Sequence, residues 1–178
     1  LVAGLDVSYD GPAAYGAMVV CDLYSGEVVE ERTERTTVKF PYIPTYLAYR
    51  ELPALRPLVD RTEGIVYLVD GHGTLHPRGA GIASQLGLML KVPTIGAAKR
   101  QLVGDVGEAQ DGKAPVLLDG KLKGYRLGEG RRFTYVSVGH RVSLATAVAV
   151  CEPLMRKGVP LPLRRAHDLA NEFRRSQR

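Results

Sequence analysis

A mixed α/β sheet with helices on both faces is what this sequence predicts, and three observations predict it. Three strand-like segments open the chain one after another, a strand, a helix and a second strand then follow in βαβ order, and the last two apolar-periodic segments have helical spacing. In chain order, Leu1 to Ser8, Ala13 to Leu23 and Glu27 to Val38 read as strands parted by turn signals at Asp10-Gly11-Pro12 and Ser25-Gly26. That is an antiparallel meander. Thr45 to Arg61 carries Leu47, Leu55 and Leu58 at helical spacing, with Pro53 and Pro57 shortening or kinking the helix. Ile65 to Val69 is a short apolar run bounded by turn residues, so it reads as a buried strand that ends at Asp70. A small-residue helix over Gly79 to Leu90 and a strand over Pro93 to Gly96 come next, and they call for parallel pairing because the helix returns the chain to the same end of the sheet. Two or three short strands are expected between Pro115 and Val138, then helices over Val142 to Lys157 and Leu163 to Arg175. The polar stretch Gly104 to Lys113 is the candidate mobile loop. This order is ribonuclease-H-like. No repeat or linker interrupts it, so residues 1–178 are expected to form a single domain.

With 178 residues, 45% of them hydrophobic, the chain can bury one core. A net charge of +5 favours an acidic partner such as nucleic acid, although a ribosome-associated protein carries a similar excess. Cys21 and Cys151 each lie in an apolar stretch and read as buried thiols in a reducing compartment; two cysteines are too few for a Cys-based metal site. No apolar run approaches the ~20 residues that cross a bilayer, and the first segment is strand-like rather than a charged-then-apolar leader. No membrane association and a cytoplasmic location are the expectation.

Three carboxylates stand where carboxylates are disfavoured. Asp6 lies inside the strand pattern Val2-Ala3-Gly4-Leu5-Asp6-Val7, where an unpaired buried charge is costly; a basic partner or an open face would compensate it. Glu51 falls four residues after Leu47 and four before Leu55, in the middle of the apolar stripe, unless Pro53 turns it outward. Asp70 ends a strand, either as a cap on the next turn or at the sheet edge where α/β proteins bind ligands. The turn after it, Gly71-His72-Gly73-Thr74-Leu75-His76-Pro77-Arg78-Gly79, combines glycines with two histidines and an arginine and is hard to explain as packing. In the proposed sheet the three acids converge on one edge, and oxygen-only ligands suit Mg²⁺, with Mn²⁺ as substitute. His72 and His76 are four apart, but Gly73 and Pro77 argue against the helix that would align them on zinc.

The segments AGLDVSY around Asp6, FPYIPTYLAYRE from Phe40 to Glu51, LVDGHGTLHPRGAGIASQLGL from Leu68 to Leu88, VPTIGAAKRQL from Val92 to Leu102, GHRVS from Gly139 to Ser143 and the final PLRRAHDLAN resemble endonuclease V, the metal-dependent nucleases that act on deaminated adenine. The matched segments span nearly the whole chain. The resemblance implies metal-binding or catalytic roles for Asp6, Glu51 and Asp70, a catalytic role for His167, and a phosphate contact for Lys99. It implies a wedge at Tyr42 within Pro41-Tyr42-Ile43-Pro44, and a hypoxanthine pocket at Gly71, Gly73, His76 and Ile82. The family usually has Gln where this chain has His72, Pro where it has Val138, and Pro-Thr where it has Leu163-Arg164.

The implied activity is hydrolysis of the second phosphodiester bond 3′ to deoxyinosine in DNA. Divalent ions on the three acids would activate water and hold the leaving oxygen, Lys99 would add fixed charge at the phosphate, and His167 would orient or exchange a proton with the water. Prolines at 41 and 44 would stiffen Tyr42 for entering the duplex while the lesion is flipped out; a local edge-strand exit is the plainer account of the same segment. Backbone amides of the glycine-rich turn would donate to the O6 of hypoxanthine. Arg100, Lys121, Lys123, Arg126, Arg131, Arg132, Arg174 and Arg175 are candidates for tracking phosphates. Single-stranded DNA, inosine-containing RNA and branched or flapped DNA are alternative substrates, a non-catalytic inosine-binding module is an alternative function, and a monomer is expected.

Overall fold

Alternating apolar residues make the first strands and also decide which face each side chain takes. The computed structural model describes residues 1–60 and 63–177, and the predicted helix end at Arg61 lies outside them. Strands β1 (Val2–Asp10), β2 (Ala13–Cys21) and β3 (Val28–Thr37) form the predicted antiparallel meander. Helix α1 (Leu47–Leu55) follows and contains Pro53, and a 3₁₀ turn at Arg56–Leu58 carries Pro57, so the prolines shorten the helix without abolishing it. Strand β4 (Val66–Asp70), helix α2 (Ile82–Leu90) and strand β5 (Thr94–Ala98) make the βαβ unit, and β4 pairs in parallel with both β1 and β5.

The following segment forms three strands, within the two or three expected but longer, and adds one more before them. Besides the short β6 (Asp105–Val106), it forms β7 (Lys113–Leu118), β8 (Lys121–Glu129) and β9 (Arg132–His140). The β7–β8 turn places Asp119 at φ 51° and Gly120 at φ 70°, the left-handed pair that a tight hairpin requires. β6 lies within Gly104 to Lys113, so part of the expected loop is sheet. Helix α3 (Leu144–Cys151) ends earlier than predicted, because Pro153 falls in a 3₁₀ turn at Glu152–Leu154, and a small hairpin of β10 (Met155–Arg156) and β11 (Val159–Pro160) uses up the remaining residues. Helix α4 (Leu161–Ser176) closes the described chain.

Among the described residues one sheet runs in the order β3-β2-β1-β4-β5-β9-β8-β7-β6, parallel at its centre and antiparallel on both flanks. Helices cover both faces, as the ribonuclease-H-like reading required. Ala3, Leu5, Met18, Tyr67 and Val69 pack with Leu52 and Leu55 of α1 and Leu86 and Leu90 of α2, while Val2, Leu68 and Ile95 pack on the opposite side with Ala147 and Val150 of α3 and Leu163 of α4. The approach of α4 is close enough that a Cβ on Gly4 would lie 2.5 Å from the amide nitrogen of Leu163, so only glycine permits it. Cys21 and Cys151 are free and buried, as expected. Among the described residues no helix is long and apolar enough to cross a membrane.

Candidate active site

Strands β4 and β5 end together beside the middle of β1, whose parallel pairing with β4 stops at Leu5, and this register aligns the acids. Leu5 pairs with Val69, and Asp70 pairs with Ala97, so Asp6 and Asp70 follow at neighbouring ladder positions with Lys99 two residues past Ala97. Asp6 and Asp70 alternate with Leu5 and Val69, which point toward α1 and α2, so both acids belong to the face that α4 covers. From α4, His167 reaches Asp6: its Nδ1 is 2.7 Å from Oδ2. Glu51 arrives from the other side, on α1. Asp6, Glu51, Asp70, Lys99 and His167 together line one open pocket of about 410 Å³ at the strand ends. The five residues singled out for chemistry therefore share a wall.

Their electrostatics differ. Asp70 accepts from the Lys99 ammonium at 3.4 Å. Burial raises the Asp70 carboxyl above its usual range, with repulsion from Asp6 adding to it. Burial pushes Glu51 up to about 8, and Asp6 and Asp70 push it the same way. The Tyr9 phenol donates to Glu51 Oε1 at 3.2 Å, and the Arg50 guanidinium lies 4.4 Å from the Tyr9 ring centre. The hydrogen bond to Asp6 raises the His167 pKa, since that carboxylate favours the imidazolium. A link through Asn171 holds the ring: Nδ2 of Asn171 is 3.2 Å from His167 Nε2, and Ser8 donates to Asn171 Oδ1 at 2.9 Å. Sequence reasoning missed Tyr9, Ser8 and Asn171. For Asn171 the available signal was its position one helical turn after His167.

Donor chemistry fits a hard divalent cation: three carboxylates line one pocket, and burial together with their mutual repulsion raises the Glu51 and Asp70 carboxyls. The donors do not form the closed cluster expected from sequence. Asp6 turns to His167 and Asp70 to Lys99, and among the described residues no three His, Cys, Asp or Glu side chains are grouped to hold an ion.

A second, more enclosed cavity of about 110 Å³ adjoins the first. Tyr42, Gly71, His76 and Ile82 line it, as do Thr45, Ala48, Gly81 and Gln85, and it shares Leu47, Gly71, His72 and Leu102 with the carboxylate pocket. Tyr42 is 68% exposed and Ile43 40%, and Pro41 and Pro44 are exposed as well, so this segment is a protruding rim. Gly73 is not in the wall. It lies behind it, donating to Ser137 Oγ at 3.0 Å, while Thr74 donates to the Val138 carbonyl at 2.7 Å. Arg78 holds the rim from the other side, donating to Thr45 Oγ1 at 3.0 Å with its guanidinium 3.9 Å from the Tyr46 ring centre. Of the candidate phosphate trackers, two serve the fold: Arg174 donates to the Tyr9 carbonyl at 3.1 Å, and Arg126 lies over the Phe133 ring.

Residues 1–168 match the family model described as endonuclease V. The chain is 44% identical over 179 residues to endonuclease V of Thermofilum pendens, covering 97% of this chain and 77% of that one. Among solved structures it resembles endonuclease V of Streptomyces avermitilis, with a TM-score of 0.88 and 35% identity over 99% of this chain and 82% of that one. The fold is also that of Ciona intestinalis endonuclease V, solved with a 24mer DNA containing an inosine, at a TM-score of 0.83 and 24% identity over 99% of this chain and 87% of that one. Hydrolysis in this nuclease family typically needs a divalent metal. A match that runs through every element bordering both cavities, from β1 to His167, places the chain in the endonuclease V family of phosphodiester-hydrolysing enzymes.

Proposed function

We propose that this chain recognises deoxyinosine in DNA and hydrolyses the second phosphodiester bond on its 3′ side, with Mg²⁺ as the ion and Mn²⁺ as its substitute. The observation that carries this reading is the pairing of a carboxylate-lined pocket with a small enclosed cavity across a shared wall at Gly71 and His72. One cavity suits a reacting phosphate and the other a single flipped base. Asp6, Glu51 and Asp70 would hold the ion, which when bound supplies Lewis acidity and a more acidic water.

The chain's own residues do the rest. Lys99 places a positive charge at the mouth of the pocket for the phosphate. His167, oriented by Asn171 and Asp6, holds or moves a proton at the water. Tyr42, exposed on its rim, fills the gap left in the stack. Pro41, Ile43 and Pro44 stiffen and extend that rim, while Gly71, His76 and Ile82 wall the base cavity and Gly73 seats the turn behind it. Residues 1–178 act as one domain, as a monomer in the cytoplasm.

The test is a duplex carrying one deoxyinosine, incubated with protein and Mg²⁺, with an adenine duplex and EDTA as controls. Asp70→Ala is expected to abolish nicking while largely preserving binding. Full activity in that variant refutes the assignment. Single-stranded DNA, inosine-containing RNA and flapped DNA in the same assay define the substrate, and binding without cleavage of any of them refutes hydrolysis.

A further inference from the structure

The two cavities meet at His72, which lines both and is 6% exposed. Its Nε2 lies 2.7 Å from the carbonyl oxygen of Arg100. A carbonyl oxygen only accepts, so the proton of the neutral ring is on Nε2 and Nδ1 presents a lone pair. Nothing in the protein satisfies that lone pair: Nδ1 is buried and has no hydrogen-bond partner. His76, also in the cavity wall, differs, because its Nδ1 accepts from the Arg78 amide at 3.2 Å. A buried acceptor left unpaired is costly, and on a residue that lines both cavities the donor left to satisfy it is the ligand's.

We propose that His72 determines specificity in this site, its Nδ1 accepting a hydrogen bond from the N1–H of a 6-oxopurine held in the smaller cavity. The proposal rests on reading that cavity as the base pocket. Hypoxanthine has a hydrogen on N1 and an acceptor at O6, whereas adenine has a lone pair at N1 and an amine at C6. A fixed lone pair on Nδ1 attracts the first base and repels the second. The Arg100 carbonyl does the fixing, because moving the proton to Nδ1 or flipping the ring would sacrifice the 2.7 Å hydrogen bond. The same carbonyl follows Lys99 directly, so one ring ties the turn after Asp70 to the segment that carries the phosphate-facing lysine. Guanine offers the same N1–H, so its rejection falls to the room available at C2.

The experiment uses the full chain with duplexes containing hypoxanthine or 6-methoxypurine, which keeps an oxygen at C6 but has a lone pair at N1. His72→Phe preserves the ring's bulk without either nitrogen. His72→Gln offers an amide N–H to Arg100 and an amide oxygen to the cavity. For the wild type, kcat/KM is expected to fall about ten- to a hundredfold from hypoxanthine to 6-methoxypurine. His72→Phe is expected to lose a similar factor on hypoxanthine, mainly through KM, and little more on 6-methoxypurine, while His72→Gln recovers most of the loss. Equal losses for His72→Phe on both bases would show that the ring only braces the turn, and would overturn the proposal. Should the wild type fail to nick hypoxanthine, the activity reading falls, and Kd values for the same duplexes in EDTA decide His72 separately: the same non-additivity supports it and additivity overturns it.

Discussion

Gly96→Ala tests how tightly the turn after Asp70 is seated. Gly96 is in β5 directly beneath that turn, and a Cβ there would lie 2.6 Å from the His72 carbonyl carbon and 2.8 Å from the Gly71 oxygen. Real Cβ atoms keep at least 3.0 Å and ordinarily 3.4 Å or more, so the backbone must retreat by close to 1 Å. It cannot do so freely, because Gly71 donates to Ala97, Gly73 to Ser137 Oγ and Ala83 to the His72 carbonyl. Backbone overpacking of this kind costs about 1–3 kcal/mol, and weakening two such hydrogen bonds adds about 1 kcal/mol each. A loss of about 3–5 kcal/mol should lower Tm by roughly 10 °C in a domain of this size. Nicking should suffer independently, since a displacement of about 1 Å at a catalytic group costs on the order of a hundredfold. Gly120→Ala is the control: nothing lies within 4 Å of its Cβ, but φ is 70°, so it isolates the backbone cost, about 1–2 kcal/mol, without touching the site. Scanning calorimetry and single-turnover nicking read both effects. If Gly96→Ala melts within 2 °C of the wild type and cuts at its rate, by the ~2–4 °C per kcal/mol expected here, the turn is not seated as described.

Two further predictions concern titratable groups. Glu51 has its pKa raised to about 8 from 4.5, so the protonated form is favoured on folding; its contribution is complete below pH 4.5 and is lost as pH rises toward 8. In EDTA, Glu51→Gln should melt close to the wild type at pH 4.5 and above it at pH 8.5, and parallel pH profiles in calorimetry would contradict the desolvated carboxylate. Burial pushes Cys151 up to about 12 and raises Cys21 as well, so neither thiol should react with Ellman's reagent until the protein unfolds, when both appear together. Fast labelling of the native protein would mean that the sheet and α3 open locally.

Where a residue conflicts with its local pattern, the sequence displays the site. Aspartate in a strand, glutamate in an apolar stripe and glycines beside histidines are each costly, and all three features border the two cavities. What stayed hidden depends on register and approach between distant segments. The bonds from α4 to Asp6 and from Ser8 to Asn171 span 161 and 163 residues of chain, so no spacing rule reveals them. That the free lone pair of His72 falls on Nδ1 likewise depends on where the Arg100 carbonyl lies, 28 residues away. The small hairpin of β10 and β11 is a different case: its Lys157-Gly158 turn carries φ values of 55° and 84°, but strands of two residues leave no strand pattern to read.

Of the three acids in the carboxylate pocket, Glu51 is the one whose hydrogen-bonding partner carries no charge. Lys99 from the end of β5 faces Asp70, and His167 from α4 faces Asp6, each at ion-pair range. Glu51 receives a phenol instead: Tyr9 donates a hydrogen bond but no charge, and the nearby Arg50 is drawn over the Tyr9 ring and donates to the Phe40 carbonyl at 3.1 Å. Arg50 lowers the Glu51 pKa less than burial and the two aspartates raise it. The consequence is a pocket in which two acids keep protein partners that a cation must displace or share, while the third exchanges its proton for one. Binding of a divalent ion at pH 7 should therefore release a proton chiefly from Glu51, and ion affinity should climb with pH until that carboxyl is fully ionised. Titration calorimetry in buffers of different ionisation enthalpy measures the proton count, expected near one for the wild type and near zero for Glu51→Gln. Equal counts in the two proteins would mean that His167 or Asp70, not Glu51, gives up the proton.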